Sequence, residues 1–149
     1  MMESMISTTL ARELREAGLS WTPTSGDAFQ IAFEDFEGDV FTVSDMTIEP
    51  HSSPSGTILG FNGTTEWALD SVAVDDALWL PREDQLRDLL RGTFRSLART
   101  VGAGSRVAYT VVVLIDDTDT AHTSEDPAEA YALAVLALIR SARAEARAE

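Results

Sequence analysis

Leu10, Leu14 and Ala17 recur at helical spacing behind the hydroxyl residues Ser7 to Thr9, and Gly18 stands where a left-handed terminating residue belongs. This pattern predicts a helix over residues 8–17. Trp21 and Pro23 follow, then a Ser25-Gly26-Asp27 turn, after which Phe29, Ile31 and Phe33 alternate with Ala28, Gln30 and Ala32. The period of two predicts a strand with one strongly apolar face. Residues 40–49 are rich in β-branched side chains and predict a second strand, paired with the first as a hairpin. His51-Ser52-Ser53-Pro54-Ser55-Gly56 reads as an exposed loop, and residues 57–61 as a third strand ending at the turn dipeptide Asn62-Gly63. Residues 66–74 fit a strand and a short helix equally.

Pro81 suits a first helical position, with Glu83 and Asp84 in the first turn, Leu86, Leu89 and Leu90 on one face, Arg87 and Arg91 toward the end, and Gly92 as the stop. Residues 93–100 and 106–115 flank Val101-Gly102-Ala103-Gly104-Ser105, predicting two strands joined by a turn, the second apolar enough to be central. Asp126-Pro127-Ala128-Glu129 sets a cap, a first-position proline and a third-position glutamate in register and opens a helix through Ile139 and on into residues 141–149. Tyr131, Leu133, Val135, Leu136, Leu138 and Ile139 cover most of that helix's circumference, so it is expected to be buried on more than one side.

The order of elements has no βαβ rhythm. It predicts an α+β fold, an antiparallel sheet of about five to six strands with N-terminal, middle and C-terminal helices packed on it. No repeat or linker divides the chain, and 149 residues suit a single domain, 1–149, with 140–149 a frayed or exposed helical tail.

Composition narrows the chemistry. There is no cysteine, which removes disulfides, thiolate metal sites and cysteine nucleophiles. All 11 basic residues are arginine, and the net charge is −14. The charge is segregated. Residues 21–80 carry 11 acids and no arginine, whereas residues 82–106 carry six arginines against Glu83, Asp84 and Asp88. An acidic side and one basic seam are expected. The first residues lack the basic start and apolar run of a signal peptide, and the most apolar stretch, 130–139, is half a membrane span. A cytoplasmic protein without membrane or nucleic-acid partners is the expectation.

No GxxxxGK[ST] or GxGxxG pattern occurs, and without lysine a P-loop is impossible. A calcium loop opening at Asp117 fails at Ala121, His122 and Ala128, so Asp116 to His122 reads as a solvated turn at the end of a central strand. His51 sits in a Ser/Pro/Gly loop and His122 beside an acidic turn, and neither has a GxSxG nucleophile nearby. Asp75-Asp76 and Glu34-Asp35 diverge as sequence neighbours. Arg87, Arg91, Arg95 and Arg99 recur every four residues, but Gly92 and Thr93 interrupt the helix that would align them; in a strand, Arg95 and Arg99 would share a face with Leu97. No catalytic residue, metal site or cofactor is therefore assigned. The remaining candidate is a binding rim: Asn62, Thr64, Thr65, Glu66 and Trp67, with Trp79 close behind, a mixture of hydrogen-bonding groups and rigid aromatics. The competing reading makes Asn62-Gly63 a turn and Trp67 part of the core.

Several segments carry a resemblance: residues 5–14, Trp21-Thr22-Pro23, residues 40–46, residues 61–71, residues 79–86 and the closing run 126–131. Together they resemble a family of small actinobacterial proteins often labelled pilus assembly protein. The resemblance spans nearly the whole chain and implies no catalytic residue. P-loop ATPases bearing the same label differ by a P-loop and roughly twice the length.

The leading expectation is a non-enzymatic interaction or regulatory module whose acidic side meets a protein with a basic surface, with a homodimer through the C-terminal helix as a further possibility. The alternatives are a small-molecule binder or enzyme with a pocket lined by Trp21, Trp67 and Trp79, and an acidic inhibitor that mimics nucleic acid.

Overall fold

Helix α1 (Thr8–Ala17) starts where Ser7 Oγ accepts the Leu10 N–H at 3.1 Å and Ser7 O accepts the Ala11 N–H at 3.0 Å. It ends in a paired cap at Gly18, whose φ of 120° only glycine adopts freely. Leu19 N–H reaches Leu14 O and Gly18 N–H reaches Arg15 O, each at 3.0 Å, which satisfies two terminal carbonyls. Both ends fall where the sequence pattern sets them.

The computed structural model describes residues 5–31, 39–43, 48–53, 56–61 and 71–148. The backbone divides into two compact units, one of Met1–Leu19 with Pro81–Glu149 and the other of Ser20–Leu80. The class is α+β: three helices and antiparallel strands, with helices packed against sheet. The strands among the described residues form three-stranded sheets rather than one larger sheet. No helix among the described residues is long and apolar enough to cross a membrane.

In the Ser20–Leu80 unit, β1 (Ala28–Ile31) lies between β2 (Val40–Thr42) and β6 (Ala77–Leu80). The β1–β2 pairing is the expected hairpin, with Phe29 opposite Phe41. Phe29, Ile31, Val43 and Ala77 form its buried cluster, against which Trp21 and Phe41 pack. A second sheet holds β3 (Ile48–Ser53), β4 (Gly56–Phe61) and β5 (Ser71–Ala73) in sequence order.

Three expectations change here. Residues 40–49 supply parts of two strands in different sheets, not one strand. His51 to Ser53, expected in a loop, belong to β3, because the antiparallel ladder with Ser53 opposite Gly56 needs only backbone groups and so admits Ser and His. β6 has no counterpart in the sequence reading, since its Ala-Leu-Trp-Leu run lacks polar alternation. The ambiguous segment resolves at its end into β5 and a 3-10 turn at Val74–Asp76.

In the other unit, α2 (Glu83–Leu90) begins two residues later than Pro81 suggests. Arg82 is extended and its N–H is accepted by Gln85 Oε1 at 2.9 Å, which caps the first turn. Gly92 does not end it. The reversal is at Arg91, at φ 51°, and a 3-10 turn at Arg91–Thr93 lets the Thr93 hydroxyl donate to Leu90 O. The expected hairpin is β7 (Phe94–Val101) with β8 (Val107–Ile115), and β8 is central as expected. A further strand, β9 (Thr118–Ser124), replaces the solvated turn expected over residues 116–122. Only Asp116 and Asp117 turn, with φ 51° and 62°, the positive pair a two-residue hairpin loop requires, and Ile115 pairs directly with Thr118.

Helix α3 (Pro127–Ala148) is capped by Asp126, whose Oδ1 accepts the Ala128 N–H at 2.9 Å. Glu129 sits in register but reaches elsewhere: its carboxylate accepts from Ser7 N–H at 3.3 Å and Ser124 Oγ at 3.5 Å, tying three elements together. Ala128, Ala130, Tyr131, Ala132, Ala134, Val135 and Leu136 are all buried. Positions this closely spaced cover every side of a helix, and α3 packs on α1, α2, β8 and β9. The helix thus spends these buried positions within its own unit, and residues 142–146 are exposed.

Leu136, 3% exposed, is a direct gauge of this packing. Leu136→Ala should lower unfolding free energy by about 2 to 5 kcal/mol in denaturant titration, and a loss below about half a kcal/mol would contradict the burial.

Candidate functional site

Asn62, Thr64, Thr65, Glu66 and Trp67 lie outside the described residues, so of the expected rim only Trp79 is placed. Trp79 is on β6, opposite Phe29 in the ladder. Its ring stacks on Trp21 with centroids 6.3 Å apart and planes 8° from parallel. Trp21 also lies 5.6 Å from Phe29, which in turn lies 5.6 Å from Phe41. Two of the three tryptophans that suggested a pocket are therefore side by side, filled against each other. The Trp79 indole N–H is buried without a hydrogen-bond partner among the described residues.

Asp27 organises this cluster. It is 2% exposed, and a single carboxylate oxygen accepts from Trp21 Nε1 at 2.9 Å, Thr24 N–H at 3.0 Å and Thr24 Oγ1 at 3.1 Å. Its backbone pins the other side: Val43 N–H donates to Asp27 O at 2.9 Å, and Gly26 N–H to Val43 O at 2.8 Å. A buried acid with this many donors holds the 21–27 segment on the sheet, which is structural work.

The ionisable clusters elsewhere are small. Asp116 accepts from Ser141 Oγ at 2.8 Å. Hydrogen bonding from Glu145, then from Ser141, holds its carboxyl below the ordinary range, and sharing with Asp116 pushes Glu145 up. Both are at the surface. His122 is on β9, its Nε2 3.0 Å from Thr120 Oγ1, and burial holds its pKa below the ordinary 6.5. Among the described residues no three acidic or histidine side chains are grouped to hold a metal. A groove of about 340 Å³ between α1 and α3 is lined by Glu13, Glu16, Arg140 and Arg143, but Arg143 already donates to Glu16 O at 3.2 Å and to Ala17 O, closing the end of α1.

The surface that stands apart is the edge of the β7-β8-β9 sheet. Among the described residues β7 pairs with β8 alone. Phe94 anchors it, its ring 5.8 Å from Tyr131 on α3. Beyond Phe94 the strand leaves the helix, and every residue from Arg95 to Val101 is exposed. Leu97 is 38% and Val101 59% exposed, high values for large apolar side chains. Leu97, Arg99 and Val101 oppose Val111, Tyr109 and Val107, and so share the face on which Val111 is buried under helix. Arg95 does not share that face, contrary to the strand reading, because a bulge between Phe94 and Ser96 breaks the alternation.

Charge marks the same edge. Between Asp88 and Asp116 the chain has Arg91, Arg95, Arg99 and Arg106, all exposed, and no acid. No ion pair among the described residues engages Arg95 or Arg99; Arg82 pairs with Asp84, at 3.2 Å. Along the sequence these arginines have no single element to align them, because Gly92 and Thr93 interrupt the helix. The signal that singles them out is the unbroken absence of acids beside them in a chain of charge −14.

Asp27→Ala should cost about 1 to 3 kcal/mol for each donor left buried and unpaired, with a shift in tryptophan emission as Trp21 loosens. The sign for His122 follows from its lowered pKa: the unfolded chain takes up a proton near 6.5, and the folded chain resists. Its contribution is therefore most favourable above that value and is lost as pH falls through it. His122→Gln should show a smaller drop in stability than the natural chain between about pH 7.5 and 5.5, measured by parallel urea titrations. No family model, curated protein or solved structure matches this chain.

Proposed function

We propose that this protein is an interaction module that takes a protein partner along the β7 edge. The observation that carries the reading is a strand of eight residues, paired on one side among the described residues, whose side chains from Arg95 to Val101 are exposed on both faces. Such an edge offers N–H and C=O groups to an incoming strand, and its residues from Arg95 to Val101 are exposed. Exposed Leu97 and Val101 supply apolar contact beside the backbone ladder. The acidic run of residues 21–80, with Asp75 and Asp76 exposed, favours a second, basic contact.

A second reading, small-molecule binding beside Trp21 and Trp79, is favoured by the buried Trp79 N–H, which has no partner among the described residues. A metabolite screen read by tryptophan emission addresses it.

The edge reading is tested by affinity capture from the native host with the natural chain and with a Leu97→Glu, Val101→Glu variant. Both positions are exposed, so the variant's stability should change by about half a kcal/mol or less, checked by thermal melting. The natural chain should retain a partner that the variant loses; equal capture by both would overturn the reading.

A further inference from the structure

Building on the β7 docking reading, we infer that the segment the edge accepts is an extended, acidic stretch of a partner protein, with a carboxylate set against Arg99 and apolar side chains beside Leu97 and Val101.

Strand addition fixes the chemistry residue by residue. Cross-strand partners share a face, so a strand laid along β7 places alternate side chains next to Leu97, Arg99 and Val101 in turn. An apolar, acidic, apolar alternation matches that face. Eight residues of β7 span about 26 Å, enough for an incoming strand of ordinary length. Arg95 stands at the bulge and Arg91 and Arg106 beyond the strand ends, so positive charge brackets the ladder with no acid in this stretch to neutralise it.

Other occupants fit the same edge less well. In a second copy paired antiparallel about Leu97, each Arg99 would lie beside the other strand's bulge, where Arg95 stands. Paired about Ala98, each Arg99 would face Leu97 of the partner strand with no carboxylate near. Two chains of −14 also repel each other at long range. Nucleic acid would need a surface for its bases, and β7 offers no exposed aromatic ring for a base to stack on. Charged side chains and a bulge also protect an edge against indiscriminate pairing. Here the protection has one sign, which discourages basic or neutral strands and admits an acidic one.

The test uses the full chain, isotopically labelled, titrated with a short peptide of the pattern Val-Thr-Glu-Thr-Val, which sets Val, Glu and Val on one strand face. Its controls are the Lys counterpart and an acidic peptide N-methylated at alternate residues. The acidic peptide should shift amide signals of residues 94–101. The Lys peptide should not bind, the methylated peptide should lose the ladder and with it the shifts, and added salt should weaken binding. An Arg95→Glu, Arg99→Glu variant, both exposed, should bind at least about tenfold more weakly with its melting temperature unchanged. Equal binding of the Glu and Lys peptides would overturn the inference, as would self-association abolished by Leu97→Glu, or preference for a single-stranded oligonucleotide. A captured partner that docks through β7 with a segment free of acids would leave the edge reading standing and overturn only the charge assignment. The two failures are therefore distinguishable.

Discussion

The unit of residues 1–19 and 81–149 depends on α3 being enclosed. A helix with apolar residues on one stripe needs one neighbour; α3 buries Ala130, Tyr131 and Ala132 in succession and then Ala134, Val135 and Leu136, so it needs neighbours on all sides. Four of the first eight residues are alanine, which keeps the helix narrow and lets α1, α2 and the β8–β9 sheet approach closely. The polar ends are arranged around the same constraint. Glu129 gathers Ser7 and Ser124 at the start of α3, and Arg143 reaches across to the last carbonyls of α1.

Enclosure has a geometric cost. α3 lies over β8 and β9, where Val111 and Val113 are fully buried, and meets β7 at Phe94. A helix already surrounded by two others and a sheet has no side left for the rest of β7. The openness of residues 95–101 thus follows from how the core is filled, and the surface chemistry of that strand is free to be set by something outside the fold.

The sequence carried the elements whose signals are local. Ser7 and Gly18 bound α1 because capping is decided by one or two residues, and Asp126-Pro127 opens α3 for the same reason. β8 is legible as central because a run from Val111 to Ile115 without a polar residue has to be covered. Where tertiary pairing decides, the residues are poor guides. His51-Ser52-Ser53 look like a loop until β4 supplies a ladder, and Asp116 to His122 look like a solvated turn until β8 does the same for Thr118 onward. The expected site was read from residue types around Asn62 and Trp67. Of it the structure places Trp79, and shows that ring stacked on Trp21. The β7 edge was invisible for a different reason. Arginines at positions 95 and 99 are unremarkable alone, and only pairing on one side gives them a shared role.

The bulge between Phe94 and Ser96 joins these two levels. Without it, strict alternation from Phe94 would carry Ser96, Ala98 and Thr100 onto the helix-side face and turn Leu97, Arg99 and Val101 to the other. With it, Phe94 keeps its place against Tyr131 while Leu97 follows onto the same side, opposite buried Val111. One extra residue lets the strand begin in the core and continue past it with its large side chains on one face. The same residue, Arg95, is then displaced from the ladder at the point where the strand leaves the helix. A strand docking there as proposed would meet positive charge before it met backbone, so that charge would select what the ladder then holds.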